Sequence, residues 1–383
     1  MKVAWLEFKL LDKSTNHPTE TETIRCFLSQ DIEIKYYCGY KKEKKYYGLN
    51  KNVINYIAGP PLPKIRSIFL IFGLMKYVLT SLFFVRPEII IIDYSINLLC
   101  FPILLAGKLI NKKTKVIMDI RTLPVDHESF WWSIKAFFLS LFIAKYSCKG
   151  ITFISPFMQE YCFKKVGLSN KRTSIWSSGF KKEIFDPDKY QKDNPEGQFN
   201  IFYHGGISLS RGIGSLVQAI KILRDKGYPV SLRLVGNIVD EKKIINIIRQ
   251  NQIEEFCEII PPVPYEMIPK MIKDCDLPII PLPNFIGWRA SSPIKLMEYM
   301  AMGKSMVLTD IEAHRDVVDS NRFAFFARTA EAEGLATAIE QAYKMRDNLE
   351  SLGKSARELA LAKYTWESQA QELILFLKSI IHE

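Results

Sequence analysis

The run Ile89-Ile90-Ile91-Ile92-Asp93, the helix-length segment Ile96 to Ile110 and the run Lys115-Val116-Ile117-Met118-Asp119 together decide the architecture of this chain. The two outer runs are of strand length and apolar without alternation, as strands buried on both faces are. Such strands joined by helices make a parallel sheet. Working outward, Gly150-Ile151-Thr152-Phe153-Ile154-Ser155 repeats the strand and Pro156 to Val166 the helix, with Pro156 suited to a first helical position. Toward the amino end, Met1-Lys2-Val3-Ala4-Trp5-Leu6 lacks the long apolar stretch of a signal peptide and reads as a first strand. The first half is therefore predicted to be a doubly wound α/β domain.

The alternation pauses and then restarts. Residues 181–198 are polar and contain Asp186-Pro187-Asp188 and Asn194-Pro195-Glu196-Gly197, which read as a linker. Beyond it come the strand Asn200 to His204, the helix Gly214 to Gly227, the strand Val230 to Val235 ending at Gly236, and the helix Glu241 to Gln250. Short strands at Glu258-Ile259-Ile260 and Leu277 to Ile280 enclose a helix from Tyr265 to Lys273. A helix Ile294 to Met302, a strand Lys304 to Thr309 and a helical region from Ala330 onward complete the pattern. With 383 residues, more than one core usually serves, the expectation is two α/β domains, residues 1–180 and 199–365, with a ligand cleft between them. Residues 366–383 are expected as a terminal helix returning to the first domain.

Composition narrows the function. A chain that is 48% hydrophobic and 24% charged folds, which excludes disorder. The 52 bases against 41 acids leave +11, so an anionic partner is expected: a phosphorylated substrate, a membrane surface or nucleic acid. Seven scattered cysteines, odd in number and never spaced C-x-x-C, indicate neither a disulfide framework nor a zinc site and suit a reducing cytoplasm.

Two clusters can carry chemistry. In Ser291-Ser292-Pro293-Ile294-Lys295-Leu296-Met297-Glu298, Ser291 or Ser292 is placed to cap a helix whose first turn begins at Pro293. The helix N-terminus and Lys295 then form an anion site. Glu298 lies one turn beyond Ile294 and can accept hydrogen bonds from sugar hydroxyls. In Tyr203-His204-Gly205-Gly206-Ile207-Ser208-Leu209-Ser210-Arg211-Gly212, a glycine-rich strand-to-helix turn lets backbone approach a ligand, and Arg211 can grip a phosphate. The turn matches neither G-x-x-x-x-G-K-[ST] nor G-x-G-x-x-G. Each cluster alone also fits an ordinary capped helix or a solvated loop. Their co-occurrence in one domain, with Gly236 and the turn Pro261-Pro262-Val263-Pro264 at neighbouring strand ends, favours the phosphate reading.

These residues resemble the retaining nucleotide-sugar glycosyltransferases of the GT-B fold, family 4 type. The resemblance rests on Gly206 to Gly212, Leu232 to Gly236, Val263-Pro264 to Pro281 and, most specifically, Ser292 to Lys304. It implies that Arg211, Lys295 and Glu298 form the catalytic set. Gly205, Gly206, Ser208, Gly236, Val263, Ser291, Ser292, Pro293 and Ile294 would then bind the donor, and Asp119, Arg121 and His127 would face the acceptor or cleft. No metal or cofactor is expected beside the nucleoside diphosphate sugar. Two departures stand out: Ala290 occupies the position eight before Glu298 where the family often has a second glutamate, and the first strand leads to Asp12-Lys13-Ser14-Thr15-Asn16-His17-Pro18 rather than to glycines, with Thr19 and Glu22 read as a capping box.

The resemblance implies sugar transfer to a glycan or lipid-linked hydroxyl. An epimerase of the same architecture and a catalytically silent, membrane-docked partner of a glycan assembly complex are the alternatives. The stretches Ile65 to Val85, Ile89 to Ile110 and Phe130 to Ala144 are short or interrupted for a membrane span, yet their tryptophans and lysines suit an anionic membrane interface at the inner face of the plasma membrane. Buried helices are the competing reading. The lysines at 41–45 sit in no nucleic-acid-binding module, and nucleic acid is not expected.

Overall fold

The computed structural model describes every residue except 12–16, 42, 61, 125–129, 169, 194–196, 319–321 and 383. His127, the 12–16 segment, Lys42 and the turn at 194–196 thus lie outside the described residues. The chain forms two compact units, residues 1–177 with 366–383, and residues 178–365.

The first unit contains β1 (Lys2–Leu11), α1 (Pro18–Ser29), β2 (Glu33–Tyr40), β3 (Ile54–Tyr56), α2 (Pro63–Thr80), β4 (Ile89–Ile92), α3 (Tyr94–Leu99), α4 (Phe101–Ile110), β5 (Lys115–Ile120), α5 (Phe130–Ser147), β6 (Gly150–Phe153), α6 (Pro156–Val166) and β7 (Arg172–Ile175). Its seven strands pair in parallel in the order β3-β2-β1-β4-β5-β6-β7. All four isoleucines of β4 are fully buried, whereas the edge strand β7 is only half-buried throughout. That gradient is why the central strands read as unbroken apolar runs and the edge did not.

In the second unit, β8 (Phe199–His204), α7 (Ile213–Asp225), β9 (Val230–Val235), α8 (Glu241–Gln250), β10 (Cys257–Ile260), α9 (Ile268–Asp274), β11 (Leu277–Ile280), α10 (Ile286–Arg289), α11 (Ile294–Ala301), β12 (Met306–Thr309), α12 (Glu312–Val318), β13 (Ala324–Ala327), α13 (Ala332–Lys344) and α14 (Leu349–Lys363) follow one another. The strands again run parallel, in the order β10-β9-β8-β11-β12-β13. The last helix, α15 (Trp366–Ile381), belongs to the first unit, where it packs on α1 and β7 and buries Leu373, Ile374 and Leu377.

Several expectations are corrected. Residues 181–198 are not a free linker: with Phe180 and Phe185 fully buried in its core, the segment is part of the second unit, and the boundary falls at Ser177 rather than after residue 180. Ile96 to Ile110 is two helices broken at Cys100, because Pro102 cannot continue an upstream helix. The capping box is absent. His17 occupies the cap position of α1 with φ 44°, no side chain caps the helix, and Glu22 pairs with Arg25 at 2.5 Å. Helix α12 and strand β13 were not anticipated: α12 has only seven residues, several of them charged, and β13 is a half-buried four-residue edge. Finally, α2 continues through a π-helical turn at Ser81–Val85, so 65–85 is one helical run of 21 residues with mean hydropathy 2.1, long and apolar enough by length and composition to cross a bilayer. Here it packs one face on β1 and β2.

Candidate active site

In the second unit the strand order reverses between β8 and β11, and ligands of open parallel sheets bind beyond the carboxyl ends of the strands at such a point. Both predicted clusters emerge there. Strand β8 ends at His204, and Gly205 follows with φ +117°, its N–H donating to the Val235 carbonyl at 2.8 Å. Gly236, with φ +140°, lies so close that a Cβ there would stand 2.0 Å from the Gly205 carbonyl oxygen. Neither position tolerates a side chain, so two strand ends meet backbone to backbone under the ligand region. Residues Leu209–Arg211 make one 3-10 turn, closed by Gly212, from which α7 starts.

Lys295 projects from the first turn of α11 into this loop. It is 8% exposed, its Nζ has no hydrogen-bond partner, and it sits 3.8 Å from the centre of the Tyr203 ring. A Cβ on Gly205 would come within 2.9 Å of that Nζ. Burial, reinforced by repulsion from Arg211 and opposed by Glu298, holds the ammonium well below the usual lysine range. Arg211 stacks over Trp288 at 4.7 Å and reaches the space beside Gly206, and the Trp288 indole N–H donates to the Ser210 carbonyl at 2.9 Å. Lys295 and Arg211 thus both lie against the glycine turn. A buried polar group without a partner costs on the order of 1–3 kcal/mol, and more when charged, which makes the Lys295 ammonium the unusual feature of this turn.

Glu298 is 2% exposed and already engaged. One carboxylate oxygen lies 2.7 Å from His204 Nε2, and the other accepts from the Tyr265 hydroxyl at 2.5 Å. His204 Nδ1 lies 3.1 Å from the Tyr299 hydroxyl, which also receives the His204 backbone N–H at 3.3 Å. A carboxylate can only accept, so Nε2–H donates to Glu298, and in that tautomer Nδ1 accepts the proton of the Tyr299 hydroxyl. The network fixes the carboxylate's orientation, and each oxygen keeps a lone pair for a further donor. His204, Tyr265 and Tyr299 are therefore positioning residues that sequence reasoning missed or left undecided. Tyr299 adjoins Glu298 in the chain and was the available signal.

The serines do not cap α11. Pro293 holds the cap position without a side-chain bond. Ser292 is buried, its Oγ receiving the Ser178 N–H at 3.2 Å and its carbonyl the Ser178 hydroxyl at 2.7 Å, while the Ser291 hydroxyl donates to the Trp288 carbonyl at 2.7 Å. Both serines brace the approach to the helix. Ile294 opens α11 half-buried, Ser208 Oγ lies 2.9 Å from Ser210 Oγ, and Val263 is half-buried in the turn after β10. Ala290 is fully buried, and Arg289 is held by both oxygens of Glu312.

Asp119 and Arg121 lie in the first unit at the end of β5. Asp119 Oδ1 accepts from the Thr152 hydroxyl at 2.6 Å and the Trp176 indole at 2.9 Å, leaving Oδ2 buried without a partner, and burial raises its pKa. Arg121 stacks on Trp176 at 3.7 Å and donates to the carbonyls of Trp176 and Ser177. Both anchor the segment leaving β7, with Asp119 Oδ2 and Arg121 Nε the atoms still unpaired.

Residues 185–359 match the family described as Glycosyl transferases group 1. The putative colanic acid biosynthesis glycosyltransferase WcaL of Salmonella typhimurium is 22% identical over 246 residues, covering 59% of this chain and 61% of the relative, so the chain spans less than two thirds of that relative's length. Among solved structures, the sucrose-phosphate synthase of Thermosynechococcus elongatus superposes with a TM-score of 0.78 at 13% identity, covering 100% of this chain and 99% of that one. Anabaena Alr3699/HepE in complex with UDP gives 0.73 at 14% identity, covering 99% and 100%. The site just described falls inside the matched residues: the second unit is similar to the glycosyl transferases group 1 over 185–359, and the whole chain has the GT-B fold of these structures.

Proposed function

We propose that the chain transfers a sugar from a nucleoside diphosphate to a hydroxyl of a glycan or lipid-linked acceptor, with retention of anomeric configuration, in the biosynthesis of a surface polysaccharide or glycolipid. The observation that carries this reading is the buried, unpartnered Lys295 ammonium facing Gly205 beside Arg211. As the bond from the anomeric carbon to the diphosphate breaks, its electron pair moves to phosphate oxygen and the sugar carbon becomes oxocarbenium-like. Arg211, Lys295 and the α11 N-terminus stabilise the charge gathering on the diphosphate, and the reading gives them the neutralising role otherwise taken by a metal ion. Glu298, oriented by His204 and Tyr265, accepts hydroxyl hydrogens of the donor. Work at the cytoplasmic face of an anionic membrane fits the +11 charge and the exposed apolar helices of the first unit.

A thermal-shift panel of nucleoside diphosphates and their sugars tests the reading, because a true donor stabilises the native state by mass action. At least one, with UDP the first to try, should raise the melting temperature and be released slowly from its sugar on incubation. Conversion of the donor sugar without acceptor would instead indicate the epimerase, and absence of binding by any nucleotide the silent partner.

A further inference from the structure

The first unit carries a basic cavity that the transfer reaction does not use. It has a volume of about 320 Å3 and is lined by Lys108, Lys112, Lys115 and Lys149 with no carboxylate among its lining residues. The floor is rigid: Asn111 donates to the Leu82 carbonyl at 2.8 Å and to Thr114 Oγ1 at 2.9 Å, and Thr114 donates in turn to the Pro87 carbonyl at 2.7 Å. Lys108 and Lys115 reach only backbone carbonyls, of Tyr146 at 2.8 Å and Lys112 at 3.0 Å. Nearby Lys171 is held below the usual lysine range by burial and by repulsion from Lys108 and Lys149, a sign that the local positive charge is not neutralised.

The cavity opens where the π-helical turn after α2, the end of α4 and the end of α5 come together. Large apolar side chains are exposed on the same elements: Phe84 is 76% exposed and Val85 also exposed in the π-helical turn, Leu109 73% and Ile110 67% in α4, and Tyr146 is exposed at the end of α5. Leu82 lines the cavity and packs so closely on α4 that a Cβ on Gly107 would meet it at 2.7 Å, so the turn and the helix form one surface. A water-facing surface has no reason to concentrate both features, whereas a phosphate held by lysines beneath an apolar rim reproduces the layering of a phospholipid, charged group outside and acyl chain beyond.

We infer that this cavity takes the phosphate headgroup of an anionic phospholipid, while Phe84, Val85, Leu109 and Ile110 enter the acyl region of the bilayer. The inference rests on the proposed work at an anionic membrane and gives that work a specific face.

Sedimentation of the full chain with vesicles tests it. The protein should pellet with equimolar phosphatidylcholine and phosphatidylglycerol and not with phosphatidylcholine alone. Lys108→Glu/Lys112→Glu/Lys115→Glu should lower the partition by a hundredfold or more, since each lysine near an anionic surface contributes and each reversal repels. Leu109→Ser/Ile110→Ser, at two exposed positions, should weaken binding about tenfold or more while leaving its salt dependence in place. Equal binding of wild type and triple variant overturns the inference. So does retention of both vesicle types alike, or stabilisation by free glycerol phosphate without vesicle binding, which would make the cavity a soluble-phosphate site. Nucleotide stabilisation is read on the same samples. Its loss with vesicle binding intact would overturn the transferase reading alone, and its persistence with vesicle binding absent would overturn the docking inference alone.

Discussion

The two sheets share one design, parallel strands with the order reversing at β1/β4 in the first unit and β8/β11 in the second, yet different ionisable groups are buried near those points. In the second unit the side chains are Arg211 and the buried Lys295 above a glycine turn. In the first, Glu7, Glu20 and Asp119 are buried and Asp93 caps α3 while accepting the Phe8 N–H, and among the described residues Lys9 and Arg121 stand against them. Burial pushes Glu7 up to about 8 and Asp93 to about 6, so these two carboxyls hold their protons more tightly than usual, whereas burial makes Lys295 hold its proton less tightly. The topology supplies a crevice and the residues decide what it can take.

The largest effect that would sharpen this contrast lies in the cations. Replacing Lys295 or Arg211 by alanine should lower turnover of a nucleotide sugar by about a hundred- to a thousandfold, an amount on the order of 2.7–4 kcal/mol by analogy with the loss of one oxyanion donor. Glu20→Gln in the first unit should instead leave donor hydrolysis unchanged, because the proposed diphosphate contacts, Arg211 and Lys295, both belong to the second unit. Wild-type rates in the Lys295 variant, measured by nucleoside diphosphate release, would break the contrast.

A second effect separates the units by pH. His314 in α12 is fully buried, and burial lowers its pKa from 6.5 to about 4, so it folds neutral. The unfolded chain binds a proton that the native state excludes, and stability therefore falls as pH drops from about 6.5 toward 4. A tenfold change in proton affinity is worth about 1.4 kcal/mol, which makes this contribution on the order of 3 kcal/mol. Glu7 has the opposite sign: its native state holds a proton that the unfolded chain releases above 4.5, and stability is lost as pH rises from there toward about 8. Urea unfolding across pH 4–8 should show the acid-side loss disappear in His314→Leu and the alkaline-side loss disappear in Glu7→Gln. Identical pH profiles for the two variants would contradict the division.

The fold was legible because its signal is collective. The unbroken run Ile89 to Ile92 and the alternating Val230-Ser231-Leu232-Arg233-Leu234-Val235 both read as strands, and Gly236 and Gly205 marked strand ends where backbones touch. What escaped was short or context-dependent: β13 has four residues, three of them half-buried, α12 has seven residues, and the break at Cys100 hides within a hydrophobic segment. At the site, Lys295, Arg211 and Glu298 were readable from their loops, but their support was not. His204 reaches Glu298 across 94 positions and Tyr265 across 33, and no local pattern encodes partners that only the tertiary structure brings together. The serines misled because a Ser-Ser-Pro start is a common helix cap, whereas here Ser178 claims Ser292.

The smallest effect is also the most discriminating. An ammonium buried without a partner destabilises the unliganded protein, so Lys295→Met, of similar length and apolar, should raise the melting temperature of the ligand-free chain by an amount corresponding to about 1–3 kcal/mol while abolishing stabilisation by nucleotide. Linkage adds a sign. The free lysine is held below its usual range, an anionic ligand favours its charged form, and binding must therefore take up a proton. Nucleoside diphosphate affinity should then weaken as pH rises through the free-state pKa, and calorimetry in buffers of different ionisation enthalpy should register proton uptake in the wild type and none from this residue in Lys295→Met. A methionine variant less stable than wild type would mean that the ammonium is already satisfied in the folded chain, and the proposed diphosphate role of Lys295 would lose its support.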